Sequence, residues 1–254
     1  MIDLHCHLLP AIDDGPRTMD EALAMARLHV AAGVQTVAAT PHVSWDMPTS
    51  TEAIERGLVE LRAALAEQQI PLELVRGAEV DVHRASELSD DALRELTLGG
   101  GGWLLLEAPL RQGIPLEPIV RSLHARGHRI VIAHPERSPL LQRDLAGLRQ
   151  LVRAGVVTQV TASSFSGRFG RTVQRFAEEL LDAGLVHTVA SDAHDSVRRP
   201  PGISAELVAA GVGDLVPLLA QQIPAAILAD EPIPHVPGRT RSQTSRLRAL
   251  LARR

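Results

Sequence analysis

Seven times along these 254 residues an apolar, strand-like stretch gives way to an amphipathic, helix-like one. This alternation constrains the fold more than any other feature, because parallel neighbours in a sheet need crossovers and helices supply them. The strand-like stretches are Ile2 to His5, Thr36 to Thr40, Leu74 to Val80, Trp103 to Glu107, Arg129 to Ala133, Val157 to Thr161 and His187 to Ala190. Thr18-Met19-Asp20-Glu21 reads as a capping box opening a helix with Ala22, Met25, Ala26 and Val30 as its apolar stripe, stopped by Gly33. Further helices are predicted over 51–68, after Ser89-Asp90-Asp91, over 116–126, between the fifth and sixth strands, over 170–183 and over 204–221. The run Gly99 to Gly102 leads into a strand, so it reads as a turn and not as a phosphate loop. A dinucleotide fingerprint is absent.

Polar residues gather just past the C-terminal ends of the strands, which is where a (β/α) barrel places its site. The expected architecture is therefore a single α/β domain over 1–231, a closed or nearly closed seven-stranded TIM-like barrel. A basic tail over 232–254 follows, free of acidic residues, with Leu247, Leu250 and Leu251 among Arg246, Arg248, Arg253 and Arg254. It reads as a frayed basic helix.

Composition narrows the function. Twenty-six basic against 30 acidic residues give a net charge of -4, no field for a nucleic-acid backbone. No apolar run reaches membrane-span length, and the N-terminus shows no leader, so the expected location is the cytoplasm. A single cysteine excludes an internal disulfide or a Cys-rich zinc module. Lysine is absent, which removes Schiff-base and Walker-type chemistry and leaves arginine and histidine as the only cationic side chains.

The strand ends carry the chemistry. The first gives His5 and His7, which share one side of a strand, with Asp13 and Asp14 in the loop behind. His42, Glu79, Glu107 and His134 follow the next four strands, and Asp192 and His194 the last. Carboxylates converging on one barrel mouth repel each other unless cations stand among them. Histidine and carboxylate ligands without thiolate suit Mn, Fe or Zn, and the set is large enough for two or three ions. His29, His124, His128, His187 and His235 lie in helices, at strand starts or in the tail and are read as structural; His83, just past Glu79, stands nearer the site. Arg137, three residues beyond His134, and Arg198 and Arg199, beyond His194, suit a phosphoryl group gripped through guanidinium forks. Cys6 does not serve a thiol phosphatase: a Cys-x5-Arg loop needs arginine at position 12, which is Ile12, and Arg17 is too distant.

At these residues the chain resembles the PHP (polymerase and histidinol phosphatase) superfamily, and more closely the bacterial tyrosine-protein phosphatases of capsule and exopolysaccharide operons, the CpsB/YwqE type. The stretches that carry the resemblance are Ile2-Asp3-Leu4-His5-Cys6-His7, Ile12-Asp13-Asp14-Gly15, Ala39-Thr40-Pro41-His42, Gly77-Ala78-Glu79, Leu106-Glu107 and Ala133-His134-Pro135-Glu136-Arg137. Gln159 to Ser164, Gly167-Arg168-Phe169-Gly170 and Ala190 to His194 complete them. The resemblance implies a distorted (β/α)7 barrel with three divalent ions, usually Mn. One ion would take His5, His7, Glu79 and Asp192; a second Asp14, His42 and His194; a third would share Glu79 and add Glu107 and His134. Arg137 and Arg199 match the family's phosphate-binding arginines, and Arg198 stands beside them. The implied activity is hydrolysis of phosphotyrosine by metal-activated water, the implied partner a membrane-associated bacterial tyrosine kinase. Val43 to Pro48 and Asp81-Val82-His83 depart from the family pattern. A small-molecule phosphatase acting on an ester such as histidinol phosphate is the alternative substrate class; a non-catalytic PHP-fold binding protein is the alternative class of function.

Overall fold

Residue by residue, the strand ends decide how this chain closes. The computed structural model describes residues 1–110 and 115–238. β1 (Ile2–Cys6) leads through a long loop to α1 (Met19–Ala31), capped by Thr18, whose side chain accepts from Glu21 N. Glu21 reaches back to Arg17 N, one residue before the position a capping box needs. Gly33, at φ +81°, provides the left-handed turn out of α1.

One predicted strand is divided in two and another gains a short successor. The second ends where expected, as β2 (Thr36–Ala39), and a further short strand, β3 (His42–Val43), follows Pro41, which has no N–H to continue a ladder. After α2 (Thr51–Glu67), the third becomes β4 (Glu73–Arg76) and β5 (Glu79–Asp81), split at Gly77-Ala78. The halves turn towards different partners. β1, β2 and β4 form a three-stranded parallel sheet. The remaining described strands, β3, β5, β6 (Trp103–Glu107), β7 (Arg129–Ala133), β8 (Val157–Thr161) and β9 (Thr188–Ala190), form a six-stranded parallel sheet in that order. The hydrogen-bonded strands thus make two sheets rather than one continuous seven-stranded ring.

The two sheets meet at the site. Asp192 N donates to His5 O and His7 N to Ala193 O, both at 2.9 Å, and Cys6 bridges Ala193. Within each sheet the pairing runs on to the same level: Thr40 N donates to Cys6 O at 2.9 Å, extending β1–β2, and Glu79 N to Pro41 O at 3.0 Å, extending β3–β5. The seam between β9 and β1 is therefore stitched within a few residues of the predicted metal ligands His5, His7 and Asp192.

Helices cover the outer faces. α2 buries Ile54, Leu58, Leu61 and Leu65, a spacing that keeps one face apolar. α5 (Leu116–Ala125) and α8 (Arg171–Asp182) do the same with Ile119, Val120 and Leu123, and with Phe176, Leu180 and Leu181. Two short helices precede α5: α3 (Val82–Glu87) and α4 (Asp90–Glu95). The helix expected between the fifth and sixth strands is two, α6 (Pro139–Arg143) and α7 (Leu145–Arg153), separated where the Asp144 carboxylate caps Gly147 N. The last predicted helix is likewise broken: α9 (Ser204–Ala209) stops before Gly211 at φ +72°, and a π turn over Leu218–Gln222 leads into α10 (Ile223–Leu228). Val236 is buried against the core, so the start of the basic tail packs on the domain. The predicted helix around Leu247 lies outside the described residues. Among the described residues no helix is long and apolar enough to cross a membrane.

Candidate metal centre

His5 and His7 leave β1 on one side, as alternation requires, and each has its Nδ1 committed behind it. His5 Nδ1 donates to Gln159 Oε1 on β8 at 2.7 Å, and His7 Nδ1 donates to Asp13 Oδ2 at 2.6 Å. Both Nε2 atoms are thereby left as lone pairs facing the cleft, 3.3 Å apart. Two lone pairs at that distance repel, so a proton or a cation has to stand between them.

Glu79 supplies the counter-charge. Its Oε2 lies 3.2 Å from His5 Nε2, 3.4 Å from His7 Nε2 and 3.0 Å from His42 Nδ1, yet has no hydrogen-bond partner of its own. Its Oε1 accepts from His134 Nε2 at 2.6 Å. A buried carboxylate oxygen encircled by three imidazole nitrogens is a poor stable end state and a good bridging ligand.

All nine predicted ligands lie in overlapping groups. In each group one donor atom per residue lies within 4.8 Å of the others: His7, Asp14, His42 and His194; His5, Glu79 and His134; His5, His7 and Asp192; His42, Glu79 and Glu107. The donor chemistry and the orphaned Glu79 oxygen fit divalent cations. The grouping differs from the family-implied one: His7 also reaches the Asp14 group, Glu79 stands outside the group of His5, His7 and Asp192, and Glu107 falls with His42 and Glu79 while His134 falls with His5 and Glu79. Two of the nine residues sit in the left-handed backbone region, His134 at φ 31° and Asp192 at φ 51°, conformations that side chains rarely adopt and that here aim both inward. Gly15 matters for the loop behind: a Cβ there would stand 2.6 Å from His7 O, pushing Asp13 and Asp14 away.

Electrostatics follow from the crowding. Burial works against charge on Glu79, but His5 and its fellow imidazoles hold the carboxyl well below its usual range. Asp192 is likewise held low despite burial, by His5, Arg199 and Arg137. Glu107 goes the other way, pushed up to about 7 by burial and the Glu79 charge. For His7 burial is outweighed by Asp13 and Glu79, which raise it to about 10.

The arginines complete the cleft. Arg137 Nη1 donates to Asp192 Oδ2 at 2.5 Å while its guanidinium lies over the Phe169 ring, 4.6 Å from the centroid. Arg199 Nη2 donates to the same oxygen at 2.6 Å and to Asp192 O at 3.1 Å, leaving its buried Nε without a partner. Both line a cleft of about 450 Å3 together with Asp14, His42, Glu79, Glu107, His134 and Asp192. Arg198 does not. The Asp195 carboxylate accepts the backbone N–H groups of Val197, Arg198 and Arg199, and this tight turn sends Arg199 inward and Arg198 out to solvent. The same bonds occupy Asp195 and hold its carboxyl low against its slight burial, whereas His83 does line the cleft.

Three residues that sequence reasoning left without a role stand directly behind the site. Asp13 and Gln159 fix the two imidazoles. Glu136, fully buried, accepts from Thr161 N at 3.0 Å and Ser164 Oγ at 2.7 Å, tying the end of β7 to the end of β8. Of the histidines read as structural, His29 is fully buried with Nε2 3.3 Å from Cys6 Sγ, on the side of β1 away from the cleft. Burial, with Asp3 and Asp192 nearby, pushes the Cys6 thiol well above its ordinary value, so it is no nucleophile.

The family model for capsular polysaccharide synthesis, CpsB/CapC, matches residues 1–213, which takes in all nine clustered residues and both arginines. The chain belongs to the CpsB/CapC family. It is 36% identical over 199 residues to the tyrosine-protein phosphatase YwqE of Bacillus subtilis, covering 77% of this chain and 78% of that one. It is 30% identical over 206 residues to a putative tyrosine-protein phosphatase CapC of Staphylococcus aureus, covering 79% of each. Among solved structures, it superposes with a TM-score of 0.84 and 30% identity, over 95% of this chain and 100% of the other. That structure comes from work on YwqE of B. subtilis and CpsB of Streptococcus pneumoniae, described as unique metal-dependent tyrosine phosphatases.

Proposed function

We propose that this CpsB/CapC-family chain is a metal-dependent protein-tyrosine phosphatase whose substrate is phosphotyrosine on a bacterial tyrosine kinase of capsule or exopolysaccharide synthesis. The observation that carries the reading is the meeting of two guanidinium groups, Arg137 and Arg199, on Asp192 of the His/Asp/Glu cluster. Arginines suited to phosphate beside His/Asp/Glu side chains suited to cations, lining one cleft, support the reading. The relatives' names point the same way.

His5, His7, Glu79 and Asp192 would hold one ion, Asp14, His42 and His194 a second, and Glu79, Glu107 and His134 a third; Mn is the metal we favour. Bound divalent ions would supply Lewis acidity and a water of lowered pKa. Gln159 and Asp13 hold His5 and His7 in the tautomer that presents Nε2. Arg137 and Arg199 take phosphoryl oxygens and balance the charge that spreads over them during transfer. The leaving phenolate of tyrosine has a pKa of about 10, so the reaction does not require a dedicated acid. His83 stands in the cleft where a proton could be delivered. Architecturally, we read the two stitched sheets as one distorted (β/α)7 barrel over 1–231, with 232–254 as a tail whose start packs on it, and the cytoplasm as its place of work.

The test is hydrolysis of a phosphotyrosine peptide and of histidinol phosphate, side by side, by chelator-stripped protein with and without added Mn. Mn-dependent cleavage of the peptide is the expected result. Cleavage of the small ester alone would move the substrate class, and no turnover with any divalent metal would overturn the enzyme reading.

A further inference from the structure

The segment after β3 is ordered and oddly furnished. Ser44 N donates to Met47 O at 2.9 Å and Met47 N to Ser44 Oγ at 3.0 Å, and Val43 bridges Pro48, so the segment folds into a tight projecting turn. At its tip is Trp45, 63% exposed. Aromatic residues are scarce in this chain, 2% of it, and Trp103, Phe165 and Phe176 are buried. Leaving a Trp in water is costly, and an exposed Trp is the side chain most often found as a binding anchor. Arg84 of α3 lies over the indole, 4.6 Å from its centroid, holding the ring in place without burying it.

The turn also stands between two concavities. Ser44, Asp46 and Met47 line the catalytic cleft. Asp46, Met47 and Pro48 line a second groove of about 650 Å3, which continues along Ile12 and Asp14 to Thr49 and Ala53 at the start of α2. The two therefore share a wall made of Asp14, Asp46 and Met47. The second groove carries the exposed carboxylates Asp14 and Asp46 and no cationic side chain among its lining residues. A small phosphate ester would fill the first cleft and leave the second unused.

We propose that the Ser44–Pro48 turn is the peptide-reading element of this enzyme. It admits an extended chain whose phosphotyrosine enters the metal cleft, whose adjoining residues cross Met47 into the second groove, and whose neutral or basic side chains rest against Trp45 and Asp46. The inference rests on the phosphotyrosine reading and adds the class of flanking residue that the site accepts. Acidic residues beside the phosphotyrosine are disfavoured by the Asp46 carboxylate and cationic ones gain its charge, while apolar ones gain the indole edge and the face that Arg84 leaves open.

The experiment uses the full chain loaded with Mn and three probes: free phosphotyrosine, and phosphotyrosine peptides with Lys or with Glu on both sides of the modified residue. Wild-type protein is expected to prefer the Lys peptide in kcat/KM by roughly fivefold, the size of partly exposed charge pairs. Trp45→Ala should lower kcat/KM for the Lys peptide about tenfold, mainly through KM, with free phosphotyrosine unchanged; Trp45→Phe should restore most of it. Asp46→Arg should reverse the Lys-over-Glu preference, a change that mere loosening of the turn would not produce. Equal loss on all three probes, or no change on any, overturns the peptide-reading role. Failure of wild-type protein to cleave any of the three removes the phosphotyrosine reading and this inference with it.

Discussion

Replacing Asp13 separates a ligand-orienting role from simple loop scaffolding. Its carboxylate accepts three hydrogen bonds: from His7 Nδ1 at 2.6 Å, from Gly15 N at 3.0 Å and from His42 N at 3.0 Å. Asp13→Ala leaves all three donors short of a partner, two of them backbone groups, where a carboxylate shielded from solvent had stood. Each such loss costs about 1–3 kcal/mol, and water recovers part of it, so a net loss near 3 kcal/mol is expected in urea unfolding with chelator present. The second consequence is specific to the proposed role. Without Asp13 the His7 ring loses the bond that fixes its tautomer, and Mn affinity should fall about 10- to 100-fold. Competition against a chelating indicator reads that change independently of turnover. Asp13→Asn keeps an acceptor and should recover most of the stability, but without the negative charge it should stay weaker for Mn. A folded Asp13→Ala protein with wild-type Mn affinity would refute the reasoning, leaving Asp13 as loop scaffolding.

Three further outcomes are expected. Arg137→Ala should lower kcat/KM for a phosphotyrosine peptide by about 10²–10³, as loss of a charge-stabilising donor does, and Arg137→Lys should not restore it, because an ammonium lacks the planar fork. Cys6→Ala should keep its hydrolytic activity while losing about 1 kcal/mol of stability in denaturant titration, since the thiol is a packed group and not a nucleophile. His187, with Nδ1 accepting from Thr158 N at 3.2 Å, is lowered to about 4 by burial and by His235. Because this lies below the ordinary 6.5, its contribution is intact above pH 6.5 and is lost as the pH falls towards 4, by about 3 kcal/mol; His187→Gln should flatten that part of the stability profile.

The site was more legible in the sequence than its support. The nine clustered residues could be read because they stand at or just past strand ends, and strand ends converge in a parallel α/β architecture whichever way the sheets close. Their partners could not be read, because the bond between His5 and Gln159 spans 154 residues and nothing local announces it. Asp13 and Asp14 are neighbours of one type, and only the fold turns one towards His7 Nδ1 and the other towards His194. The third strand was over-read by periodicity at Gly77, where close approach of Leu98 and Thr40 divides one apolar run between two sheets, and the short strand past Pro41 was not read at all. Arg198 and Arg199 were equivalent in the sequence; the Asp195 turn made them different. His29 was rightly read as structural, but its partner, Cys6 on β1, is set by packing that local spacing does not reveal.

The most direct test of the whole account is a crystal structure of Mn-loaded protein with data collected at the Mn absorption edge. The account expects three anomalous peaks in the cleft, with Glu79 shared between two of them and Asp13 and Gln159 still bonded to the Nδ1 atoms of His7 and His5. An absence of peaks at saturating Mn, or peaks that leave Glu79 without a metal contact, would contradict it.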